Sequence, residues 1–243
     1  MPSSGWNTCR AQAPGAVGAR AIGTEALALA AWDGRGAVAL LEHTRDGRAL
    51  LLSRVIPGSG FSSSGSDEVD CQRVADTFRE LASALVPVGL PALSVAVSAR
   101  FARAKGEASR RSRWITAQDL KDAEERAVAL AQDPGPLGLV HGDAQNKNLL
   151  VGDPGDMLLA IDPEPSAGDP HFDPALWALT HRPGKGVRER CALLAGLLEL
   201  DTTRLWEWCL VLAVPEVALE REGPAQAHHE FLAEASSDRT DGF

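Results

Sequence analysis

The most constraining feature of the 243-residue chain is a short predicted β-hairpin with polar residues at both of its ends. Two apolar segments, 149–151 and 157–161, flank a Gly-Asp-Pro-Gly-Asp turn. Asp143 and Asn148 precede the first strand, and Asp162 follows the second. Because closure of an antiparallel hairpin puts the end of its second strand beside the start of its first, the sequence predicts that Asp162 lies near Asp143 and Asn148.

Two carboxylates and one carboxamide at such an edge suit phosphoryl transfer. In that reaction a metal ion neutralises charge on the phosphate oxygens, and a carboxylate orients the acceptor hydroxyl and takes its proton. Asn148 and Asp162 offer the hard oxygen ligands that Mg²⁺ prefers, and an asparagine five residues after Asp143 matches the spacing in kinase catalytic loops. Taken singly, Asp143 could be a turn residue and His141 a structural histidine, so the interpretation depends on the combined spacing.

Turn residues and composition divide the chain into a small β-containing part and a larger helical part. The expected fold class is α+β, with a small N-terminal sheet layer, a larger helical C-terminal lobe and a cleft between them that suits a small molecule. The predicted divisions are 1–23, a disordered or aberrant N-terminus; 24–58, a partial N-terminal lobe with one helix and a β-hairpin; 59–66, a flexible Ser/Gly-rich hinge or linker; 67–235, a helical lobe that carries the polar loop; and 236–243, a polar tail.

Apolar residues at helical spacing locate the helices of the larger lobe. They predict a helix over 67–86, with a buried stripe formed by Val69, Val74, Phe78, Leu81 and Leu85. Residues 93–131 are predicted to be mostly helical, with Thr116 as a helix cap. From about Asp173 the chain is helical again, with a break at 182–186.

Composition argues against several classes of function. A net charge of −9 is unlike that of nucleic-acid-binding domains, which usually carry a basic face. No uncharged apolar segment approaches the ~18 residues of a membrane span, no signal peptide is apparent, and the four cysteines are far apart, so we expect no membrane partner and a cytoplasmic location. One local basic cluster fits either a solvated helix face or a contact with an anionic partner; it consists of Arg100, Arg103, Lys105, Arg110, Arg111 and Arg113.

Three segments of the chain resemble one known family. Residues 141–148, with the sequence HGDAQNKN, match the H-G-D-x-x-x-x-N loop of aminoglycoside phosphotransferase-type, kinase-like enzymes. Residues 158–177, LLAIDPEPSAGDPHFDPALW, are similar to the aminoglycoside/hydroxyurea (streptomycin 6-kinase-like) branch, in which I-D-P precedes G-D-P-x-x-D. Residues 25–58 resemble the helix and hairpin that lead to the interlobe hinge of that branch. The resemblance covers the chain from about Gly23 to about Trp208.

This resemblance implies a kinase-like two-lobed fold with a reduced N-terminal β lobe, and a role for each matching position in the polar loop. Asp143 would be the catalytic base, and Asn148 and Asp162 would hold Mg²⁺. His141 would support the loop. Asp169 would support it too, bracing the C-terminal lobe together with Asp173.

The resemblance also implies a nucleotide site for ATP and a small-molecule acceptor. Glu25 would be the N-lobe helix carboxylate that pairs with a phosphate-binding lysine. Backbone groups at Ser53, Val55 and Ile56 would meet the adenine, and Lys147 would touch phosphate unless it is a solvated loop lysine. The expected acceptor is cationic and aminoglycoside-like, with streptomycin-like aminocyclitols first and hydroxyurea-like compounds second.

One departure from the family pattern leaves alternatives open. The family has further N-lobe strands, a glycine-rich loop and a lysine before the helix that carries Glu25, whereas this chain has no lysine before Lys105. We therefore expect a truncated N-lobe, and an inactive remnant or ligand-binding protein is one alternative. A metal-dependent hydrolase is a lesser alternative, with possible ligands at His141, Asp143, Asp162, Asp169, His171 and Asp173.

Overall fold

The computed structural model describes residues 20–45, 49–111, 114–153, 157–183, 186–220 and 222–240. The elements, in chain order, are α1 (Arg20–Trp32), β1 (Leu40–His43), β2 (Leu50–Leu52), α2 (Asp67–Ala82), α3 (Leu93–Arg111), α4 (Ala117–Gln132), β3 (Gly138–Val140), β4 (Leu149–Val151), β5 (Leu158–Ala160), β6 (Ser166–Gly168), α5 (Phe172–Thr180), α6 (Val187–Leu198), α7 (Thr202–Leu219) and α8 (Glu222–Thr240). A 3₁₀ turn spans Asn146–Asn148. The fold is α+β, as predicted.

The predicted hairpin is confirmed as β4 and β5, which pair antiparallel with Leu149 opposite Ala160. Both of its edges are hydrogen-bonded to segments from the N-terminal part. On the β5 edge, Ala160 N donates to Gly36 O at 2.9 Å and Val38 N donates to Ala160 O at 3.0 Å. The hairpin is therefore the point at which the small β-containing part joins the helical part.

The other edge of the hairpin is covered by the start of the linker. Gly58 N donates to Val151 O at 3.0 Å, and Phe61 N donates to Leu149 O at 2.8 Å. The sequence predicts a flexible connector here, but the serines that follow are also fixed: Ser63 Oγ and Ser64 N donate to the buried carboxylate of Asp70 at 2.6 and 2.9 Å. These hydrogen bonds tie the Ser/Gly-rich segment to the next helix, and its role as a flexible hinge stays a prediction.

The helices of the larger part follow the predicted apolar pattern with two errors. Val74, Phe78 and Leu81 are buried in α2, but Val69 is 50% and Leu85 is 88% exposed. Val69 lies in the first turn, and Leu85 lies beyond the end of α2 at Ala82. The helix stops early because Ser83 caps it, with its hydroxyl donating to Glu80 O at 2.7 Å, and because the approach to Pro87 disfavours helical backbone.

The remaining predicted helix boundaries can be compared with the observed helix caps and ends. Thr116 is confirmed as the cap of α4, since it forms a reciprocal capping box with Asp119. The chain is helical from Arg20, inside the predicted disordered terminus, and α8 continues to Thr240 where a polar tail was expected. No proline lies between Pro14 and α1, and no glycine or proline lies between Pro224 and Gly242, so nothing in the backbone stops either helix. Residues 1–19 and 241–243 lie outside the described residues.

The β3–β6 pair supports the polar loop from the other side. Val140, the last residue of β3, is opposite Ser166 of β6, so His141 leaves the pair at a fixed place. β6 packs on α3, where Gly168 faces the buried Leu93.

Among the described helices, none combines the length and apolar composition needed to cross a lipid bilayer.

Replacement of Gly168 by alanine is expected to destabilise the protein by about 1–3 kcal/mol, the usual range for overpacking a core. The added Cβ would overlap the side chain of Leu93, so β6 and α3 would have to separate. Gly60→Ala is the matched control because its Cβ would have no neighbour within 4 Å. Urea unfolding of the two variants measures the difference, and equal stabilities would contradict this account of the packing.

Candidate active site

The backbone of the polar loop is held by Asp173, in the first turn of α5. His141 N and Gly142 N donate to its two carboxylate oxygens at 2.6 and 2.9 Å. Gly142 has φ 84°, and a Cβ there would overlap the carbonyl oxygen of Glu164. Burial raises the pKa of Asp173 to about 6. The glycine of the motif is thus required by the backbone, and a buried carboxylate fixes the point where the loop begins.

His141 links the loop to the end of β5. Its Nε2 lies 3.1 Å from Ile161 O, and its Nδ1 lies 3.3 Å from Asp143 N. The ring is buried and stacks on Trp32 at 5.8 Å between centroids. Burial lowers the pKa of His141 to about 4, so the neutral ring donates from Nε2 to the carbonyl oxygen and accepts at Nδ1. These contacts are those expected of a residue that supports the loop.

Asp143 is surrounded by donors from its own loop. Gln145 Nε2 donates to Oδ1 at 2.7 Å, and Asn148 Nδ2 donates to Oδ2 at 2.8 Å. Lys147 Nζ lies 3.0 Å from the same Oδ2, with 63% of the lysine side chain exposed against 16% for Asp143. The carboxylate is therefore oriented by two amides and paired with a lysine that solvent can reach.

The structure brings the two predicted metal ligands together. Ile161 N donates to Asn148 O at 2.9 Å, so Asp162 begins directly beside Asn148. Asn148 Nδ2 donates to both Asp143 O and Asp143 Oδ2. Asp162 has φ 53°, a left-handed conformation that is uncommon outside glycine and is often found at functional sites.

These groups fit Mg²⁺ by their chemistry. An amide oxygen and a carboxylate are hard donors, and Mg²⁺ commonly takes one or two protein ligands and completes its shell with phosphate and water. Glu25 is a further acidic group nearby, and its pKa is raised to about 7. Burial is the larger cause of this rise, and the negative charge of Asp162 is the smaller one. The N-terminal helix therefore brings Glu25 within electrostatic reach of Asp162, whereas a role for Glu25 in nucleotide binding stays a prediction.

The segment predicted to meet adenine is only partly available. Ser53 closes the β1–β2 hairpin, because its N donates to Ala39 O at 2.9 Å and its Oγ accepts from Ala39 N at 3.0 Å. Val55 packs on the core beside Gly152, and Ile56 is 52% exposed. Ser53 thus has a structural use, and a nucleotide contact of backbone groups at Ser53, Val55 and Ile56 stays a prediction.

Loop support was assigned from the sequence to Asp169, and this is corrected to Asp173. Asp169 accepts from Trp208 Nε1 at 2.7 Å, Arg204 Nε at 2.6 Å and His171 N at 2.9 Å. Burial opposes ionisation of Asp169, but these donors hold its pKa below the usual value. Asp169 therefore fixes α7 rather than the loop. Both aspartates belong to G-D-P-x-x-D, and spacing alone does not say which one reaches back to β3.

Among the described residues, members of the basic cluster and of the hydrolase ligand set make separate contacts. Arg100 is buried and donates from Nε to Glu216 at 3.0 Å, and Arg103 pairs with Glu164 at 3.1 Å. The side chains of Arg110, Arg111 and Arg113 lie outside the described residues. His171 Nδ1 lies 2.6 Å from Asp169 Oδ1, apart from the loop. Among the described residues, no three or more His, Cys, Asp or Glu side chains form a group that could hold a metal ion.

Glutamine at position 25 is expected to stabilise the protein above pH 7. With a pKa of about 7 when folded and 4.5 when unfolded, Glu25 stays protonated in the native state while the unfolded chain ionises, so stability falls as pH rises through this window. Glu25→Gln removes that loss, worth about 1 kcal/mol at this partly exposed group after allowance for solvent screening.

Urea unfolding at about pH 4.5 and about pH 8 measures this effect, with the conditions chosen from the pKa window. Glu42→Gln, at an exposed position of β1, is the matched control. A gain at the lower pH that equals or exceeds the gain at the higher pH would contradict the assignment.

Comparison with known proteins identifies the family. Residues 19–223 match the sequence model of the aminoglycoside/hydroxyurea antibiotic resistance kinases. The chain is 36% identical over 204 residues to a hydroxyurea phosphotransferase of Kitasatospora aureofaciens, covering 82% of this chain and 58% of that protein. It is 32% identical over 200 residues to a streptomycin 6-kinase of Streptomyces griseus, covering 76% and 62%. The chain thus spans about three fifths of the length of these relatives.

A solved structure gives the fold independently. A choline/ethanolamine kinase family protein from Mesorhizobium loti superposes with a TM-score of 0.63 at 15% identity, covering 93% of this chain and 81% of that one. This likeness confirms the predicted kinase-like fold. The match over residues 19–223 means that the chain belongs to the aminoglycoside/hydroxyurea antibiotic resistance kinase family.

Proposed function

We propose that this protein is an ATP-dependent phosphotransferase that phosphorylates a hydroxyl group of an aminoglycoside-like small molecule. The observation that carries the proposal is the 2.8 Å hydrogen bond from Asn148 Nδ2 to Asp143 Oδ2, made where Ile161 N binds Asn148 O. In this proposal the contact holds the base beside Asn148, and Asp162 follows Ile161, so that a base and two oxygen ligands would meet at one edge of the hairpin. Membership of a family of resistance kinases supports the same reaction.

In this reaction Asp143 is the catalytic base. It accepts the proton of the acceptor hydroxyl as the new O–P bond forms and the bond from the γ-phosphorus to the bridging oxygen of ADP breaks. Gln145 and Asn148 orient its carboxylate. Mg²⁺ held by Asn148 and Asp162 would neutralise charge on the phosphates. Lys147, which reaches solvent while paired with Asp143, is the loop cation that can turn to the phosphates.

Electrostatics favour a cationic acceptor. The chain has a net charge of −9, and Asp143 and Asp162 stand at the two ends of the segment that contains the β4–β5 hairpin. An acidic surface attracts cations, whereas the anionic phosphates of ATP would be met through Mg²⁺ and Lys147. Streptomycin is the first acceptor to test, because one relative is named a streptomycin 6-kinase. Hydroxyurea is the second, because another is named a hydroxyurea phosphotransferase.

Ligand binding without phosphoryl transfer is a second candidate function, and one observation favours it. A lysine paired with Glu25 would lower the pKa of that carboxyl group, whereas burial and Asp162 raise it to about 7. Without such a lysine, its positive charge would not face the transferring phosphates, and a charge in that position usually contributes much of the catalysis. Turnover by the unsubstituted chain separates the two functions.

Asp143→Asn is expected to reduce phosphate transfer from ATP to streptomycin by about 10²-fold or more, the usual contribution of a general base, while nucleotide binding persists.

Asp162→Asn is expected to weaken the metal-dependent rise in melting temperature caused by Mg·ATP, since ligands that bind the native state stabilise it. Mass spectrometry of the acceptor and thermal unfolding measure the two effects.

The control for both variants is Asp76→Asn, the same chemical change on the exposed face of α2. Full turnover by Asp143→Asn would contradict the assignment of Asp143 as the catalytic base. A Mg·ATP shift without transfer to streptomycin or hydroxyurea by the unsubstituted protein would favour the binding function instead.

A further inference from the structure

A buried chain of hydrogen bonds connects the catalytic loop to the linker. Trp177 Nε1 lies 2.8 Å from Asn146 Oδ1, and Asn146 Nδ2 lies 2.9 Å from His181 Nδ1. His181 Nε2 lies 3.0 Å from Asp70 Oδ2. Asp70 in turn holds the linker through Ser63 and Ser64. His181 and Asp70 have fully buried side chains, so these groups have no water to replace a lost partner.

The direction of this chain is fixed at both ends. An indole N–H can only donate and an ionised carboxylate can only accept, so Trp177 must donate to Asn146 Oδ1 and Asp70 must accept from His181. The His181 ring then carries its proton on Nε2 and accepts from Asn146 Nδ2. Nδ1 also lies 3.1 Å from Asn146 Oδ1, but that pairing would need a proton on Nδ1. Burial lowers the pKa of His181, and a neutral ring has only one N–H.

Ring packing holds His181 in this position. Its ring stacks on Trp177 at 4.3 Å and on Phe61 at 5.7 Å between centroids. Phe61 is the linker residue whose N donates to Leu149 O at the start of β4. The linker is therefore tied to both ends of the turn Asn146–Asn148, through His181 at Asn146 and through β4 after Asn148.

We propose that Asp70 and His181 are positioning residues for phosphoryl transfer: they orient Asn146, and through it the turn that presents Lys147 and Asn148 to Asp143. The proposal rests on the proposed function of the loop. Neither residue touches the reacting groups. Their effect is geometric, because a catalytic constellation depends on the residues that hold its members in place.

Exchanging donors and acceptors along this chain of hydrogen bonds tests the proposed positioning role. In Asp70→Asn, Ser64 N can only donate, so it keeps the amide oxygen at the position of Asp70 Oδ1, 2.9 Å away. The amide nitrogen then faces His181 Nε2 and donates to it, which moves the ring proton to Nδ1. Asn146 must then turn its Oδ1 to His181 and its Nδ2 to Trp177, where two donors face each other. In Asp70→Asn with Asn146→Asp, the new carboxylate at 146 accepts from both His181 and Trp177, and every group is satisfied again with the same total charge.

Asp70→Asn is expected to lower kcat for phosphorylation of streptomycin about 10- to 100-fold, as loss of a supporting partner does, with little change in KM for streptomycin. In the Asn146→Asp background the same substitution is expected to cost less than about 3-fold, because coupled residues are not additive. Histidine ¹⁵N NMR is expected to show Nε2–H for His181 in the unsubstituted protein and Nδ1–H in both proteins that carry Asp70→Asn.

Asp76→Asn on the exposed face of α2 is the control. An equal loss of kcat from Asp70→Asn in both backgrounds, or an unchanged His181 tautomer, would overturn the proposal. If Asp70→Asn does not fold, the comparison is between Asn146→Asp and the double variant: a folded double variant with similar kcat supports the proposal, and an unfolded one overturns it.

If the proposed function is wrong, the positioning role is tested by a different measurement. If the unsubstituted protein phosphorylates neither streptomycin nor hydroxyurea, the effect is measured as affinity for Mn²⁺ with ADP by water-proton relaxation. A 10- to 100-fold weaker affinity in Asp70→Asn, of the size that supporting residues contribute to metal binding, supports positioning although the reaction is wrong. Unchanged Mn²⁺·ADP affinity overturns the positioning role.

Discussion

The structure depends on the β4–β5 hairpin having both of its edges hydrogen-bonded. A two-stranded hairpin alone is marginally stable, and buried backbone groups without partners are costly. Residues 36–38 satisfy the β5 edge, and residues 58–61 satisfy the β4 edge. The N-terminal part is therefore required to complete the surface that carries the polar loop. In the same arrangement Glu25, 118 residues before Asp143 in the sequence, comes close enough to Asp162 for the charge of Asp162 to raise the pKa of Glu25.

Buried carboxylates fix the position of the loop relative to the helices. Asp173 binds backbone amides at the start of the loop, Asp169 binds α7, and Asp70 binds the linker. A buried carboxylate is costly unless its oxygens are hydrogen-bonded, so each can be accommodated in only one arrangement. These groups specify geometry more than they add stability, and the raised pKa of Asp173, about 6, shows that its burial is incompletely compensated.

Local sequence predicted the parts of the site that are close along the chain. The hairpin, the approach of Asp162 to Asn148 and the capping by Thr116 all follow from spacing and turn chemistry within about twenty residues. The hydrogen bonds that hold the linker and the exchange of roles between Asp169 and Asp173 could not be predicted in this way. Asp70 meets His181 across 111 residues, and the packing that brings them together leaves no periodic signal in either segment.

The concentration of acidic groups at the site has a physical consequence for the whole molecule. Glu25, Asp143 and Asp162 come from three segments, and Lys147 is paired with only one of them. Asp162 is also held at φ 53°, a conformation that the surrounding structure must enforce. Burial is the main cause of the raised pKa of Glu25, and the charge of Asp162 adds to it. The site therefore carries a cost of folding at Glu25 and at Asp162, and a ligand that binds only the native state would offset part of that cost.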